Sequence, residues 1–267
     1  MELSPTVFAT LCDKSYYLRG LRTIQQLRGV GCWRGDVVLL CVDFTPDPGD
    51  EWLIALDVEV VMLAHIDHMP LWKAWEKHPI QPLDDNRHYG KVYQWDKLQV
   101  FGRWCLAWKR VCFLDAGMHV CSDVAPLLEL EWKGRLVAPR DGPPPYLDRV
   151  FRTQLDMQAN PAVTDDLLQT LGKEILDRPY FINCCFIFDT SLATLAYACM
   201  TSWMVRFPIM MCNEMGIMNL YFSYYLGSWE MMPISQHEQE KHLYGYCNSD
   251  FPGSPLRTSF CLVKYPS

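Results

Sequence analysis

The sequence predicts an α/β fold with a mostly parallel central sheet and helices on both faces. Three observations predict it. First, strand-length apolar runs recur early in the chain: TVFATLC (6–12), DVVLLCVD (36–43) and VEVVMLA (58–64). Near-continuous apolar strands of this kind belong in a parallel sheet covered on both sides. Second, Asp13 and Ser15 follow the first run as candidate caps, and Tyr17, Leu21, Ile24 and Leu27 then recur at helical spacing up to Gly29 and Gly31, which makes a strand, a turn and a helix. Third, the run Val111, Cys112, Phe113 and Leu114 delivers one carboxylate, Asp115, into the turn pair Ala116 and Gly117. Ligands gather at the carboxyl edge of an open α/β sheet, so Asp115 is a candidate for holding a metal or polar ligand. An Asp closing a strand also serves as a plain turn residue, and the segment alone leaves both readings open.

The remaining elements follow in order. The Pro- and Gly-rich TPDPGDE stretch reads as a turn between the second and third strands, and His65 to Tyr93, rich in Trp, His, Pro and Asp, has no clear period. A long irregular stretch in a compact fold predicts a functional loop or lid. Asp96 to Arg110 places Leu98, Phe101, Cys105 and Trp108 on one face of a predicted helix whose first turn carries Lys97. A short helix over 124–130, a strand in RLVAP, a loop at DGPPPY (141–146) and a helix over 165–176 come next. YFINCCFIFD (180–189) reads as a strand with Asn183 among apolar neighbours; a buried amide needs partners, as a structural bracket or as a ligand contact. Helices are predicted over 191–207 and 213–226, the second opening on Glu214 with Asn219 nearby, and the tail from His242 mixes His, Gly, Asn, Pro and Tyr. No internal repeat or low-complexity tract is visible.

Half of the 267 residues are hydrophobic, enough for a sizeable core, and the length fits one large domain or two small ones. The formal charge of −7 with scattered Lys and Arg argues against a nucleic-acid partner, which needs a concentrated basic surface. The start, MELSPTVFATLCDK, lacks the features of a secretory signal, and no run of eighteen apolar residues predicts a membrane span. The twelve cysteines lie in apolar segments without CxxC pairs, which suits reduced core thiols. Cys112, His119 and Cys121 lack the second pair that a zinc site at this spacing would need. The expected location is cytoplasmic, the host cytoplasm if the source is a virus.

Taken together these segments resemble the glycogenin-like family of nucleotide-sugar glycosyltransferases, in the same order over most of the chain. The resemblance implies a single GT-A type domain over 1–267, with a Rossmann-like nucleotide-binding half over 1–115 and a sugar- and acceptor-binding half over 116–267. VFATLCDKSYYLRGLRTIQQLR resembles the family's first strand and helix, so Tyr17 matches the residue that packs on uracil, Leu11, Asp13 and Lys14 match the neighbouring base and ribose contacts, and Thr10 is a further donor-binding candidate. Small polar residues are usual in the family where this chain has Asp13 and Lys14. Arg87 and Lys97 match its basic pair. KRVCFLDAGMHVCSDVAPLLEL resembles its metal-binding strand, where two acids separated by one residue bind a divalent cation; here Asp115, Ala116 and Gly117 keep the first acid and replace the second with glycine. Asn183 matches a sugar contact, and Glu214 the acid of an acid-Gln-Gly-x-x-Asn helix start, with Met215 in the amide position. HLYG (242–245) is similar to a C-terminal metal-binding His, His242, and a Gly whose backbone approaches phosphate, Gly245.

The resemblance implies transfer of a sugar from a UDP-sugar donor to a glycan or glycoprotein acceptor, with Glu214 and Asn183 at the reacting centre. Mn²⁺ or Mg²⁺ would bridge the diphosphate, weakly bound or dispensable because one acid is missing, with Asp115 and His242 as ligands. Without metal, Lys97, Arg87 and Lys241 would have to neutralise the phosphates. The missing acid also motivates an alternative, a non-catalytic binder of sugar nucleotides or glycans. A nucleotidylyltransferase would open with a Gly-rich phosphate loop, and CDKSYYLRG contains none.

Overall fold

The computed structural model describes residues 4–79, 92–141, 149–233, 242–246 and 260–264. Its centre is a seven-stranded sheet in the order β3-β2-β1-β4-β7-β6-β8, built from β1 (Ser4–Cys12), β2 (Asp36–Val42), β3 (Glu59–Leu63), β4 (Trp108–Leu114), β6 (Leu136–Ala138), β7 (Cys185–Asp189) and β8 (Trp229–Met231). The pairs β2–β3, β1–β2, β1–β4 and β6–β8 are parallel, and β7 runs antiparallel to both β4 and β6. Strands from both sides of Asp115 therefore enter one sheet. A second sheet of β5 (His119–Val120), β10 (Phe260–Lys264) and β9 (His242–Tyr246) stands beside it.

The apolar runs are continuous because both faces of the sheet are covered. Strand residues alternate between faces. Val7, Ala9, Val38, Leu40, Val111, Phe113, Phe186 and Phe188 enter one core, with Trp75 from α3 (Met69–Lys77) and Met200 from the helix Ala193–Arg206. Phe8, Leu39, Cys41, Cys112, Leu114 and Ile187 enter the other, against Leu21, Ile24 and Leu27 of α1 (Tyr17–Arg28). Phe101 is fully buried, stacked on Phe186 at 5.6 Å and close to Phe188 and Phe222 at 4.6 and 5.2 Å. Phe101→Ala should cost about 3–5 kcal/mol, because it removes the shared ring and leaves a cavity; a shift of the denaturant midpoint at unchanged m-value checks this.

Several elements differ from expectation. The segment from His65 contains α3, introduced by Pro70, where a loop or lid was expected; TPDPGDE (45–51) is the expected turn, but it leads into an additional helix, α2 (Glu51–Ala55), capped by Asp50 accepting from the Trp52 N–H. The helix predicted over 96–110 is instead two tight 3₁₀ segments, Val92–Phe101 and Arg103–Ala107, separated by Gly102 in extended conformation. Trp108 and Arg110 join β4 because Ser4 and Thr6 are there to pair with them. The helix expected over 165–176 runs from Pro161 to Leu171 and stops at Gly172, whose φ is +88°. The expected strand over 180–189 is regular only from Cys185, and the last predicted helix becomes α-helical over Glu214–Asn219 and π-helical over Leu220–Tyr225. The tail contributes β9 and β10. DGPPPY lies outside the described residues after Asp141. The described cysteines are all free, and no described helix is long and apolar enough to cross a membrane.

Candidate active site

Sheet register assembles the site at the carboxyl end of β4. Leu114 pairs with Cys185 of the antiparallel β7, so the next residue, Asp115, faces Cys184 and donates its N–H to the Cys184 carbonyl at 2.8 Å. Asn183 is therefore delivered beside Asp115 from the opposite chain direction. The chain then turns through Gly117, whose φ of +96° favours glycine and whose N–H donates to the Thr23 hydroxyl at 3.1 Å. β5 follows, and β10 pairs antiparallel with it, Val263 opposite His119. The next residue, Lys264, is thereby laid over Asp115.

From the other core comes the helix Glu214–Asn219. Asn219 is a buried bracket: its side chain accepts from the Phe181 N–H at 2.8 Å and donates to the Phe181 and Met215 carbonyls at 2.9 and 3.0 Å. This sets the helix against the 180–184 segment and turns Glu214 toward Asn183. Asn213, just before it, has φ +50° and donates to the Gln94 side chain at 2.8 Å.

The centre of the cluster is the Lys97 ammonium. It lies 2.8 Å from Asp115 Oδ1, 3.4 Å from Glu214 Oε1 and 3.5 Å from Asn183 Oδ1. Asn183 Nδ2 donates to Glu214 Oε1 at 2.9 Å, and Lys264 Nζ donates to Asp115 Oδ2 at 3.3 Å. Glu214 Oε2 is buried with no hydrogen-bond partner among the described residues. The Lys97 side chain is 15% exposed. Burial is the largest influence on it and pulls its pKa down, but the charges of Asp115 and Glu214 and the hydrogen bond to Asp115 outweigh burial and leave the ammonium's pKa raised. Burial also pushes the Glu214 carboxyl up from its ordinary range, against the opposing pull of Lys97 and Asn183.

These groups floor a cavity of about 990 Å³, at the upper end of the roughly 300–1,000 Å³ of small-molecule sites. Leu11, Asp13, Lys97, Asp115, Ala116, Gly117, Asn183 and Glu214 all line it, so most of the expected residues meet in one place. Thr10 and Tyr17 do not line it. Thr10 is buried with its hydroxyl unpartnered among the described residues, and the Tyr17 hydroxyl donates to Asp50 at 2.7 Å while its ring packs edge-on against Phe44. Tyr16 takes the place at the cavity, 41% exposed, with the Arg19 guanidinium 5.0 Å above its ring. Gly245 is in β9 opposite Val263, and His242 opposite Phe260. The His242 side chain, Arg87 and Lys241 lie outside the described residues.

Sequence reasoning missed Arg19, Arg22, Thr23, Gln26, His65, Tyr93, Asp96 and Lys264, all on the cavity wall. A signal existed for the first four: with Tyr16 they form a polar stripe at helical spacing, opposite Leu21, Ile24 and Leu27. At the other side of the mouth His65 Nδ1 is 2.6 Å from buried Asp96, and its ring is 4.6 Å from that of Tyr93.

No family model matches the chain, and no curated protein sequence is similar to it. Solved structures are. The galactosyltransferase LgtC in complex with donor and acceptor sugar analogues matches with a TM-score of 0.61 at 12% identity, over 98% of this chain and 87% of its own. The mannosyltransferase Ktr4p of S. cerevisiae in complex with GDP matches with a TM-score of 0.54 at 12% identity, over 83% of this chain and 67% of its own. Core-mannan synthase A from Aspergillus fumigatus, in a Mn/GDP form, matches with a TM-score of 0.51 at 11% identity, over 85% and 72%.

The sequence resemblance implies a divalent cation at Asp115, and the donor set there decides whether one fits. Hard cations want several oxygen ligands. Here both Asp115 oxygens are engaged by ammonium groups, Gly117 supplies no carboxylate, and among the described residues no three His, Cys, Asp or Glu side chains are grouped to hold a metal ion. Two unit charges about 4 Å apart interact by roughly 4 kcal/mol at an effective dielectric of 20, and a dication would meet twice that repulsion from each lysine. The described residues do not fit a divalent metal at Asp115, where the sequence resemblance expected one. What the structure does establish is the architecture: the seven-stranded mixed sheet with helices on both faces is the GT-A glycosyltransferase fold.

Proposed function

We propose that the chain is a glycosyltransferase of the glycogenin-like kind that moves a sugar from a UDP-sugar donor to a carbohydrate or glycoprotein acceptor. The observation that carries this reading is the cluster of Lys97, Asp115, Asn183 and Glu214 at the carboxyl end of β4, opening on one large cavity in a GT-A fold. In the reaction the bond from the anomeric carbon to the diphosphate oxygen breaks and that oxygen keeps the electron pair. The acceptor hydroxyl oxygen forms the new bond and loses its proton, which the departing phosphate oxygen can take. Negative charge grows on the phosphate while positive character grows at the anomeric carbon. Lys97 at the centre of the cluster and Lys264 on the far side of Asp115 supply cations, and Glu214 supplies a carboxylate. The unpartnered Glu214 Oε2 is left to accept from a donor-sugar hydroxyl.

Release of free UDP from a panel of UDP-sugars, with water and then with simple glycosides as acceptors, tests the proposal. Failure of every donor to release UDP, with UDP still bound, would favour the second reading, a non-catalytic sugar-nucleotide or glycan binder. That reading draws on Gly117 in the position of the second acid.

The wall of α1 bears a prediction on the base. Tyr16 lines the cavity whereas Tyr17 is committed to Asp50. Loss of aromatic stacking on a base costs about 1–3 kcal/mol, so Tyr16→Ala should weaken UDP by roughly that amount in calorimetric titration. Tyr17→Phe should leave UDP affinity unchanged and lower only stability.

A further inference from the structure

We infer that Lys97 and Lys264 stand where a divalent cation would otherwise act, so that the chain binds a nucleoside diphosphate, and transfers from it, without metal. The inference rests on the proposed UDP-sugar reading and goes beyond it in naming what neutralises the diphosphate. Three features of the site support it.

The Lys97 ammonium is surrounded as a cation would be, by oxygens of Asp115, Glu214 and Asn183 from three separate segments at 2.8, 3.4 and 3.5 Å. Only the first contact is at the optimum for a charge-assisted bond. The two long ones can be exchanged for phosphate oxygens while Asp115 still anchors the side chain. An ammonium offers three donors and no acceptor, which suits a diphosphate edge. The second ammonium, Lys264, covers the other Asp115 oxygen at 3.3 Å. Asp115 thus holds two lysines on the cavity floor instead of ligating a metal, and its role becomes one of positioning. Arg19 and Arg22 on the α1 wall add positive charge toward solvent.

The third feature is Gly117. With φ at +96° and its N–H on Thr23, this position is set for glycine, and an added Cβ would meet only Arg19 carbons at 3.8 and 4.0 Å. Space for a second acid exists, but the backbone there disfavours one. The raised pKa of Lys97 keeps the site cationic: as the phosphate leaves, the ammonium stays charged and gives up no proton. The bond changes are those of the proposed transfer, with no oxidant or further reactant.

Titration calorimetry of UDP into the full chain tests this in three arms: with EDTA, with saturating Mn²⁺, and on the variants Lys97→Gln and Lys264→Gln in EDTA. The expected result is equal wild-type affinity in EDTA and Mn²⁺. Each variant should lose about ten- to a hundredfold, the worth of one hydrogen bond to a charged group. If Lys97→Gln does not fold by circular dichroism, the wild-type arms and Lys264→Gln decide alone. A tightening of UDP by tenfold or more on adding Mn²⁺, or undiminished affinity in Lys264→Gln, overturns the inference and leaves the UDP-sugar reading standing. Absence of UDP binding in both EDTA and Mn²⁺ overturns both.

Discussion

Glu214→Gln is expected to lower turnover by about 10²–10⁴, the range for a positioned group that acts on a developing charge. The substitution keeps the shape of the side chain. Its amide oxygen can still accept from Asn183 Nδ2, now at 2.9 Å, so the helix Glu214–Asn219 should stay bracketed on Phe181 through Asn219. What it removes is a negative charge 3.4 Å from Lys97 and the acceptor at Oε2. Single-turnover measurement of UDP release, beside UDP affinity by calorimetry, separates the outcomes. A fall in turnover with near-normal UDP binding places Glu214 at the sugar; wild-type turnover would remove it from the mechanism.

Lys97→Gln is expected to cost about 3–5 kcal/mol of stability, as much as the loss of the Phe101 ring, because removing one member of a buried ion pair leaves the other charges uncompensated. Asp115 would keep Lys264, but Glu214 would lose its only cationic neighbour among the described residues within 4 Å and keep the neutral Asn183 amide. The pH dependence has a definite sign. Lys97 has a folded pKa above its ordinary 10.5, so its contribution is fully present below 10.5 and is lost only as pH rises through the higher folded value. Glu214 has a folded pKa above its ordinary 4.5, so folding favours its protonated form and its contribution falls as pH rises through the folded value. The gap between wild type and Lys97→Gln should therefore be widest around neutrality and narrow in acid, where Glu214 takes up its proton. Urea melts at a series of pH values check it. A constant gap from acid to neutral pH would show that Lys97 stabilises by packing of its stem alone.

The expected reaction site was legible to the extent that its residues sit in recognisable segments. Asp115 stood out because an apolar run ended on a carboxylate at a turn, Asn183 because an amide lay among apolar residues, and Glu214 because it opened a helix. Lys97 was legible only as a basic residue at a suggestive distance. Its burial was not, since the 92–107 segment winds as 3₁₀ turns about buried Trp95, Leu98 and Phe101. The apolar spacing there fitted an α-helix equally well. Tyr16 and Tyr17 differ by one residue, about a hundred degrees around a helix, and the distinction between cavity wall and hydrogen bond to Asp50 follows from that rotation.

By itself the sequence determined the α/β class, the strands at 6–12, 36–43 and 58–64, the first helix and the edge at which Asp115 emerges. Those depend on local periodicity and on turn residues, which are written in consecutive positions. The tertiary structure alone decided what Asp115 meets. The cluster around it is drawn from 18, 68, 99 and 149 positions away in the chain, by Lys97, Asn183, Glu214 and Lys264: the two lysines pair with Asp115, and Asn183 and Glu214 reach it through Lys97. β7 brings the second through antiparallel register, Asn219 orients the third through Phe181, and β10 lays the fourth over the turn by pairing with β5. Strand pairing and a buried amide bracket make these long-range contacts, and neither leaves a periodic mark in sequence. That is why the chain's missing acid could be read from Gly117, and the lysines that surround Asp115 only from the fold.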